Sequence, residues 1–244
     1  MRLFTEPANI GDKYIKITDR GDIRHLAKVL RLREGDTVDV SDSVQWEYAA
    51  EIVSIDEDEV VLAICDKQKF AREPELRVCL YQGIPKAGKM ETIIQKCVEL
   101  GVYAVTPVFM ERTVVVEKGN FSKKLERWQK VSDEAVKQCR RGIVPEIRQQ
   151  QRFDQMLGEL SEYDLILFPY ENETGRTIKD CLRGLDAKPQ TVAIIIGPEG
   201  GFADSEAEKL DAAGAERVSL GKTILRTETA GMAALAMTMY ELEL

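Results

Sequence analysis

Apolar segments alternate with segments of helical periodicity from Val78 to the end of this 244-residue chain. Each apolar segment is nearly continuous, which is typical of strands buried on both faces of a parallel sheet. Helices between the strands cover those faces, so the pattern predicts an α/β fold. The strand candidates are VCLYQGI, AVTPVFM, DLILFPY, TVAIIIG and RVSLG, and the predicted helices span 90–100, 121–141, 153–160, 177–182, 204–213 and 227–241.

The first 70 residues show a different sequence pattern, in which short strand candidates are separated by turns. These candidates are RLFT, YIKI, TVDV, WEYAAEIVSI and EVVLAI, and one helical segment, DIRHLAKVLRL, interrupts them. Strands at this spacing indicate a small barrel or sandwich. The polar segment KQKFAREPE that follows is interpreted as a linker. We therefore predict two domains, 1–72 and 73–244.

The composition argues against several classes of site and against a membrane segment. The single histidine, His25, argues against a His-based zinc site or a Ser-His-Asp triad, and we expect no metal. The five cysteines include no CxxC pair, so we interpret them as free thiols in a reducing compartment. The chain has no apolar run of about eighteen residues, and MRLFTEPANIGDKY lacks the apolar region of a signal peptide. We therefore expect a cytoplasmic protein without a membrane partner.

Although the net charge of the chain is −8, its basic residues are clustered in particular segments. In the predicted helix 121–141, basic residues fall on one arc at about 100° per residue, with apolar residues roughly opposite. A shorter stripe recurs in the amino-terminal helical segment, where His25 is either a phosphate contact or a packed or solvated side chain. The stripes are either solvated faces or two parts of one RNA-binding surface. The basic members are Lys123, Arg127, Lys130, Lys137 and Arg141, then Arg24, Lys28 and Arg31; the apolar members are Leu125, Trp128, Ala135 and Cys139, then Ile23, Leu26 and Leu30.

Three loops follow strands of the predicted sheet: PYENETG, GPEGGF and GKTILRTETAG. Ligands of α/β sheets bind at the carboxyl ends of the strands, so we expect these loops to meet at one site. The chain contains neither GxxxxGK[ST] nor GxGxxG. Glu199 would repel a phosphate but would accept hydrogen bonds from a ribose hydroxyl or an ammonium group. The second loop is therefore either a nucleoside or amino-acid site with close backbone approach, or a plain turn with Glu199 as a helix-start acid.

The third loop leads into a helix that is apolar almost all round. Thr227 is the expected N-cap of this helix, because a threonine hydroxyl can accept a bond from the first turn. A helix without a polar face must be covered on several sides, so it is either a core helix or a subunit interface. Arg226 and Glu228 are polar side chains crowded against glycine-rich turns, which makes them the best candidates for catalytic residues.

Four motifs follow one another along the chain: RHLAKVLRL, EAVKQCRRGIVPE, GPEGGF and LGKTILRTETA. In this order they resemble the RsmE family of 16S ribosomal RNA uridine N3-methyltransferases, which belongs to the SPOUT superfamily. Also similar to that family are KAGKMETIIQKCVELGV, residues 86–102, and Arg112. One departure is the pair Lys222-Thr223, where family members often carry Pro-Arg or Lys-Arg.

The resemblance implies a PUA-like β-barrel at 1–72 and an α/β domain at 73–244 whose carboxyl-terminal chain forms a trefoil knot. It further implies a homodimer that binds S-adenosyl-L-methionine in the knot and acts on 16S ribosomal RNA or the small ribosomal subunit. The implied cofactor contacts are Leu167, Phe168, Pro169, Tyr170, Gly197, Pro198, Glu199, Gly200, Gly201, Leu220, Gly221, Ile224, Leu225, Arg226 and Thr229. Together with the basic stripes, it implies RNA contacts at Arg24, His25, Lys28, Arg31, Lys86, Lys89, Arg112, Lys123, Arg127, Arg140 and Arg141.

Methylation at uridine N3 requires loss of the N3 proton and stabilisation of the anion that spreads onto O2 and O4. We hypothesise that Arg226 supplies the positive charge, and that Glu228 orients Arg226 or shuttles the proton. Phe202 or Tyr170 is a candidate to receive the flipped base. Three other interpretations are a non-catalytic RNA-binding assembly factor, a ribose methyltransferase of the same superfamily and a nucleotide-dependent enzyme. The GPEGG and LRTETA segments argue against the first, RHL against the second, and the lack of a phosphate motif against the third.

Overall fold

The computed structural model describes residues 2–70, 73–116 and 121–244, which form two compact units. The first unit contains Met1–Glu73 and Val136–Val144, and the second contains Pro74–Ala135 and Pro145–Leu244. The predicted domain boundary lies between 72 and 73, and residue 72 is outside the described residues. The observed division is not linear along the chain, because a segment from the middle of the sequence joins the first unit.

The first unit contains a five-stranded sheet in the order β1-β3-β4-β5-β2. β1 and β3 are parallel, and the other neighbouring pairs are antiparallel. Alternation sets the faces: Ile15 and Ile17 of YIKI are buried while Tyr14 and Lys16 are exposed. The strands are β1 (Arg2–Phe4), β2 (Tyr14–Ile17), β3 (Thr37–Ser41), β4 (Trp46–Ile55) and β5 (Val60–Lys69).

The helical segment of the first unit begins as α1 (Arg20–Arg24), where Asp19 Oδ1 accepts a hydrogen bond from the Asp22 backbone N–H. It continues as a π-helix over His25–Leu30 and ends at Arg31, whose φ is 55°. Ile23 and Leu26 are buried, as predicted, but Leu30 is 41% exposed. The prediction for Leu30 was wrong because a π-helix turns less per residue than an α-helix, so Leu30, seven positions after Ile23, no longer returns to the buried face.

The carboxylate of Glu73 binds the segment Val136–Val144, which belongs to the first unit. It forms an ion pair with Arg141, with 3.0 Å between Arg141 Nη2 and Glu73 Oε2, and both side chains are less than a tenth exposed. Glu73 Oε1 also accepts hydrogen bonds from the backbone N–H groups of Gly142 and Ile143, at 2.5 and 3.0 Å. One buried carboxylate therefore satisfies two backbone donors and a guanidinium group.

The second unit contains a larger sheet in the order β12-β10-β11-β6-β7-β8, with β9 also paired to β7. All of its strand pairs are parallel, which confirms the predicted parallel sheet. β8 and β9 were not predicted, because two-residue strands are too short to carry a pattern. The strands are β6 (Arg77–Gly83), β7 (Ala104–Phe109), β8 (Glu146–Ile147), β9 (Gln151–Arg152), β10 (Leu165–Pro169), β11 (Thr191–Ile196) and β12 (Glu216–Val218).

Helices cover both faces of this sheet, as the apolar strands predict. Tyr81 and Ile195 belong to a core cluster that includes residues of α4 and α6. Leu80 and Ile196 face the other way, and both lie 3.7 Å from the position that a Cβ on Gly231 of α7 would occupy. The helices are α2 (Lys89–Glu99), α3 (Phe121–Cys139), α4 (Phe153–Glu159), α5 (Ile178–Arg183), α6 (Asp204–Ala212) and α7 (Thr227–Leu242).

Candidate active site

The three predicted loops lie at one edge of the large sheet. They follow β10, β11 and β12, which are neighbours in the order β12-β10-β11 and run parallel. The loop that follows β6 reaches the same edge, because β6 pairs in parallel with β11. The topology therefore brings four loops to the carboxyl ends of adjacent strands, where α/β proteins bind ligands.

The GPEGG turn that follows β11 is closed by a hydrogen bond of 2.9 Å from the Gly201 N–H to Pro198 O. Gly201 has a φ of +68°, and a Cβ there would lie 2.4 Å from Glu171 Oε1 in the loop after β10. Pro198 packs against β6, where a Cβ on Gly83 would lie 2.5 Å from the Pro198 nitrogen. Glycine at these two positions allows the turn to pack closely against both neighbouring segments.

Thr227 ties the first residue of α7 to the GPEGG turn. Its buried hydroxyl donates a hydrogen bond of 2.6 Å to Gly197 O and accepts one of 2.9 Å from Gln82 Nε2. The N-cap of α7 is Arg226, not Thr227, and no side chain caps the helix. The predicted cap was wrong because the Thr227 hydroxyl is engaged by partners far away in the sequence and does not bond to its own helix.

Glu199 of the GPEGG turn faces the start of α2. Its Oε1 accepts hydrogen bonds from the Lys86 backbone N–H, at 2.9 Å, and from Lys89 Nζ, at 3.2 Å. Partial burial raises the pKa of the Glu199 carboxyl, but these bonds outweigh it and hold the pKa below its usual value. Glu199 is not a helix-start acid of α6, because the acids in the first turn of that helix are Asp204 and Glu206.

Lys89 also reaches Glu228 in the first turn of α7, with 3.1 Å between Lys89 Nζ and Glu228 Oε2. The Glu228 backbone N–H and the Lys89 ammonium hold the pKa of the Glu228 carboxyl below its usual value, and the charge of Arg226 adds to this effect. Glu228 is therefore an anion near neutral pH. Arg226 is exposed at the amino end of the same helix.

The end of β10 forms a buried floor beneath the loops. Leu167 and Phe168 have no exposed surface, and Pro169 and Tyr170 are largely covered. Phe202 is 2% exposed and meets Phe168 edge-on, with ring centroids 5.8 Å apart. The rings of Phe202 and Tyr170, the two candidates to receive a flipped base, are already packed in this aromatic cluster.

The third loop is exposed to solvent, unlike the buried end of β10. Gly221 has a φ of +138° and no atom within 4 Å of the position of a Cβ, and Ile224 is 83% exposed. Leu220 and Leu225 are half-buried, and Thr229 is exposed on the first turn of α7. Apolar groups thus remain uncovered beside the GPEGG turn, which is a property of ligand-binding and interface loops.

The predicted RNA contacts fall into exposed and engaged side chains. Arg141 is 6% exposed and paired with Glu73, so its guanidinium does not present a basic surface to RNA. Arg127 is exposed but pairs with Glu91. The other exposed members are Arg24, His25, Lys28, Arg31 and Arg140 in the first unit, and Lys86 and Lys123 in the second; Arg112 is also exposed but bonds to the GPEGG turn.

Two of the predicted RNA contacts hold the GPEGG turn. Lys89 binds Glu199, as described above, and Arg112 Nη1 donates a hydrogen bond of 3.0 Å to Gly200 O. Gln82 was missed by the sequence analysis, although its side chain is fully buried and bonds to Thr227. The available signal was a polar residue inside the apolar strand VCLYQGI, since a buried polar residue needs a specific partner.

Some classes of site are not represented in the described ranges. Within 2–70, 73–116 and 121–244, no group of three or more His, Cys, Asp or Glu side chains is arranged to hold a metal ion. In the same part of the chain, no helix combines the length and apolar character needed to cross a membrane.

Comparison with known proteins gives matches over both units. The family model of an RNA methyltransferase domain matches residues 72–239, and that of an RNA methyltransferase PUA domain matches residues 17–65. The ribosomal RNA small subunit methyltransferase E of Bacillus subtilis is 32% identical over 227 residues, which cover 91% of this chain and 89% of that protein.

Two solved structures resemble the whole chain. The ribosomal RNA small subunit methyltransferase E of Neisseria gonorrhoeae, bound to S-adenosyl methionine, has a TM-score of 0.85 at 28% identity. A methyltransferase structure from Legionella pneumophila with the bound cofactor SAM has a TM-score of 0.84 at 31% identity. Each comparison covers 98% of this chain and 96% of the other.

Proposed function

The chain belongs to the ribosomal RNA small subunit methyltransferase E family, and from this premise we propose that it uses S-adenosylmethionine to methylate N3 of a specific uridine in 16S ribosomal RNA. The proposal includes a homodimer that acts in the cytoplasm. It also includes a trefoil knot formed by the carboxyl-terminal chain, with the cofactor bound between the loops that follow β10, β11 and β12.

The observation that carries the proposal is the physical connection between the two carboxyl-terminal motifs. Thr227 of LRTETA bonds to Gly197 of GPEGG at 2.6 Å, and Lys89 forms contacts with both Glu199 and Glu228. The two motifs are separated along the sequence, but they form one wall at the carboxyl edge of the sheet. A turn and a helix start joined in this way provide a preorganised site.

The residues present fit the proposed cofactor. The glycines of the GPEGG turn allow close backbone approach to a flat adenine, and one oxygen of Glu199 accepts the Lys86 and Lys89 bonds. The other oxygen is assigned to a ribose hydroxyl. Leu220, Ile224 and Leu225 supply apolar surface from the third loop. S-adenosylmethionine, when bound, supplies a methyl group carried on a positively charged sulfur.

Arg226 and Glu228 perform the proton chemistry in this proposal. The guanidinium of Arg226 stabilises the negative charge that develops on O2 and O4 of the uracil when N3 loses its proton. The carboxylate of Glu228, ionised near neutral pH, accepts that proton. A new bond forms from N3 to the methyl carbon as the carbon–sulfur bond breaks, so the sulfur leaves with the electron pair and becomes neutral.

The outer face of α7 supports the proposed homodimer. Ala234 and Leu235 are fully buried within the unit, whereas Met237 is 38% and Tyr240 is 70% exposed. The helix therefore serves as a core helix on one side and presents apolar side chains on the other. A second copy of the chain would cover the exposed apolar side chains, so α7 would be both a core helix and part of a subunit interface.

The test combines binding and transfer. We expect calorimetry to detect binding of S-adenosylmethionine but not of ATP, and mass spectrometry to detect N3-methyluridine in 16S RNA from small subunits incubated with the protein. Binding of ATP alone would support a nucleotide-dependent enzyme, binding of neither would support the assembly factor, and a methyl group found on ribose would support the ribose methyltransferase.

Substitution tests the role of Arg226. We expect Arg226→Ala to lower kcat by about a hundredfold to a thousandfold, because a donor to the developing oxyanion is lost. Lys222→Ala removes an exposed cation from the same loop and serves as the matched control. Turnover and cofactor affinity of Arg226→Ala near those of the control would refute the assignment.

A further inference from the structure

Lys89 occupies a position that joins three loops of the candidate site. It is the first residue of α2 and follows the tight turn at Ala87 and Gly88, which have φ angles of 36° and 67°. Its ammonium lies 3.2 Å from Glu199 Oε1 and 3.1 Å from Glu228 Oε2. The loop after β6, the GPEGG turn and the start of α7 therefore meet at one nitrogen.

The backbone around Lys89 strengthens this connection. The Lys86 N–H donates a second hydrogen bond to Glu199 Oε1, at 2.9 Å. Glu199 Oε1 therefore accepts one bond from the backbone of the loop after β6 and one from the Lys89 ammonium. α2 is fixed by buried side chains that include Ile93 and Ile94, so its first residue is held at a defined place. The bridge is thus built on packed elements and not on two mobile surface chains.

The charges explain what the bridge does. Glu199 and Glu228 are two carboxylates on facing segments, and Lys89 is the cation that contacts both; Arg226 is the other charged group that acts on Glu228. The Lys89 ammonium donates to the Glu228 and Glu199 carboxylates, which raises the pKa of Lys89, so its positive charge is retained. Without this cation, the two carboxylates would face each other as like charges, which disfavours their close approach.

We propose that Lys89 is a positioning residue for methyl transfer, which holds the Glu199 and Glu228 carboxylates in register across the cofactor loops. This inference rests on the proposed function. It differs from the role in RNA contact that the resemblance implies for Lys89, because the ammonium is engaged by two carboxylates of the chain itself. Lys89 sets the position and ionisation of Glu228, and through Glu199 it sets the position of the GPEGG turn.

The kinetic test compares Lys89→Met with Lys89→Arg, which retains a cation that can bind two carboxylates. We expect Lys89→Met to lower kcat by up to about a hundredfold, since small displacements of reacting groups are costly. We expect KM for RNA to stay within about twofold, and Lys89→Arg to restore most of the loss. The acidic limb of the kcat–pH profile should move to higher pH in Lys89→Met, because Glu228 loses the cation that favours its charged form.

Two lysines serve as controls. Lys86→Met removes an exposed cation beside the bridge but leaves the backbone bond to Glu199, so it should raise KM for RNA without moving the pH profile. Lys96→Met removes an exposed cation from the same helix, where Lys96 pairs only with Glu99 among the contacts described, and should match the wild type. A Lys89→Met variant that behaves like Lys86→Met, or like the wild type, would overturn the inference.

A titration without catalysis separates this inference from the proposed function. In carbon-labelled protein, NMR should give a higher pKa for Glu228 in Lys89→Met than in the wild type and in Lys89→Arg. Equal values would overturn the inference, whether or not the protein transfers methyl groups. Absence of methyl transfer by the wild type, with a raised Glu228 pKa in Lys89→Met, would instead reject the proposed function and leave the bridge established.

Discussion

Replacing Thr227 with valine keeps the size and the β-branching of the side chain but removes its hydroxyl. The variant loses the bond to Gly197 O and the bond from Gln82 Nε2, which are 2.6 and 2.9 Å long in a buried site. Gln82 Nε2 keeps its bond of 3.0 Å to Gly83 O, whereas Gly197 O loses the only partner described for it. We expect this change to loosen the contact between α7 and the GPEGG turn.

The magnitude follows from the two bonds and the added methyl group. Loss of the bonds, with one carbonyl left buried, costs about 3 kcal/mol. Burial of the methyl group returns about 1 kcal/mol, so the expected net loss in the free energy of unfolding is about 2 kcal/mol. For a protein of this size the melting temperature should fall by roughly 4–8 °C.

Urea and thermal unfolding followed by circular dichroism would measure the effect, and calorimetry would measure affinity for S-adenosylmethionine. Thr223→Val is the matched control, because Thr223 is exposed in the loop that precedes α7. Thr227→Ser should retain most of the stability, since it keeps the hydroxyl. If Thr227→Val unfolded at the same temperature and urea concentration as Thr223→Val, the Thr227 bonds would not hold the turn.

Two further predictions concern the loops and the pH dependence of stability. Gly201→Ala should weaken S-adenosylmethionine binding in calorimetry more than Gly214→Ala does, because both residues have positive φ but only a Cβ at 201 meets another group, Glu171; equal affinities would refute this. Bonds from the Gln190 and Thr191 backbone lower the pKa of Asp164, so its contribution to stability should be present above about pH 3.9 and lost as pH falls through the lower folded value. Urea midpoints of Asp164→Asn should therefore lie below those of the wild type at pH 7 and approach them in acid; a difference that does not change with pH would contradict the linkage.

The sequence predicts the large sheet well because each of its long strands is an apolar run followed by glycine or polar residues. Thr227 shows where such reasoning ends: its position suggests a helix cap, but its actual partners, Gly197 and Gln82, are distant in sequence. The predicted helix 121–141 likewise places Arg141 on an exposed stripe, but α3 ends at Cys139, so Arg141 lies beyond the helix. The structure buries it because Glu73, from a different part of the chain, supplies the matching carboxylate.

The candidate site was predicted in part. The meeting of three loops follows from the parallel direction of the strands, which the alternation of strands and helices predicts, whereas the order β12-β10-β11 is known only from the structure. The bridge formed by Lys89 does not, because a basic residue at the start of a helix is equally compatible with solvent, RNA or an ion pair. Only the three-dimensional positions of Glu199 and Glu228 distinguish these possibilities.

The capture of Val136–Val144 by Glu73 has a consequence for synthesis on the ribosome. The five strands of the first unit are complete by Lys69, but the segment that Glu73 binds is made about 70 residues later. At about 5–20 residues per second, the nascent chain spends roughly 4–14 s without it. During that interval only the smaller part of the second unit, Pro74–Ala135, is made, so the amino-terminal unit is the first to begin folding but cannot finish until Val144 has left the exit tunnel.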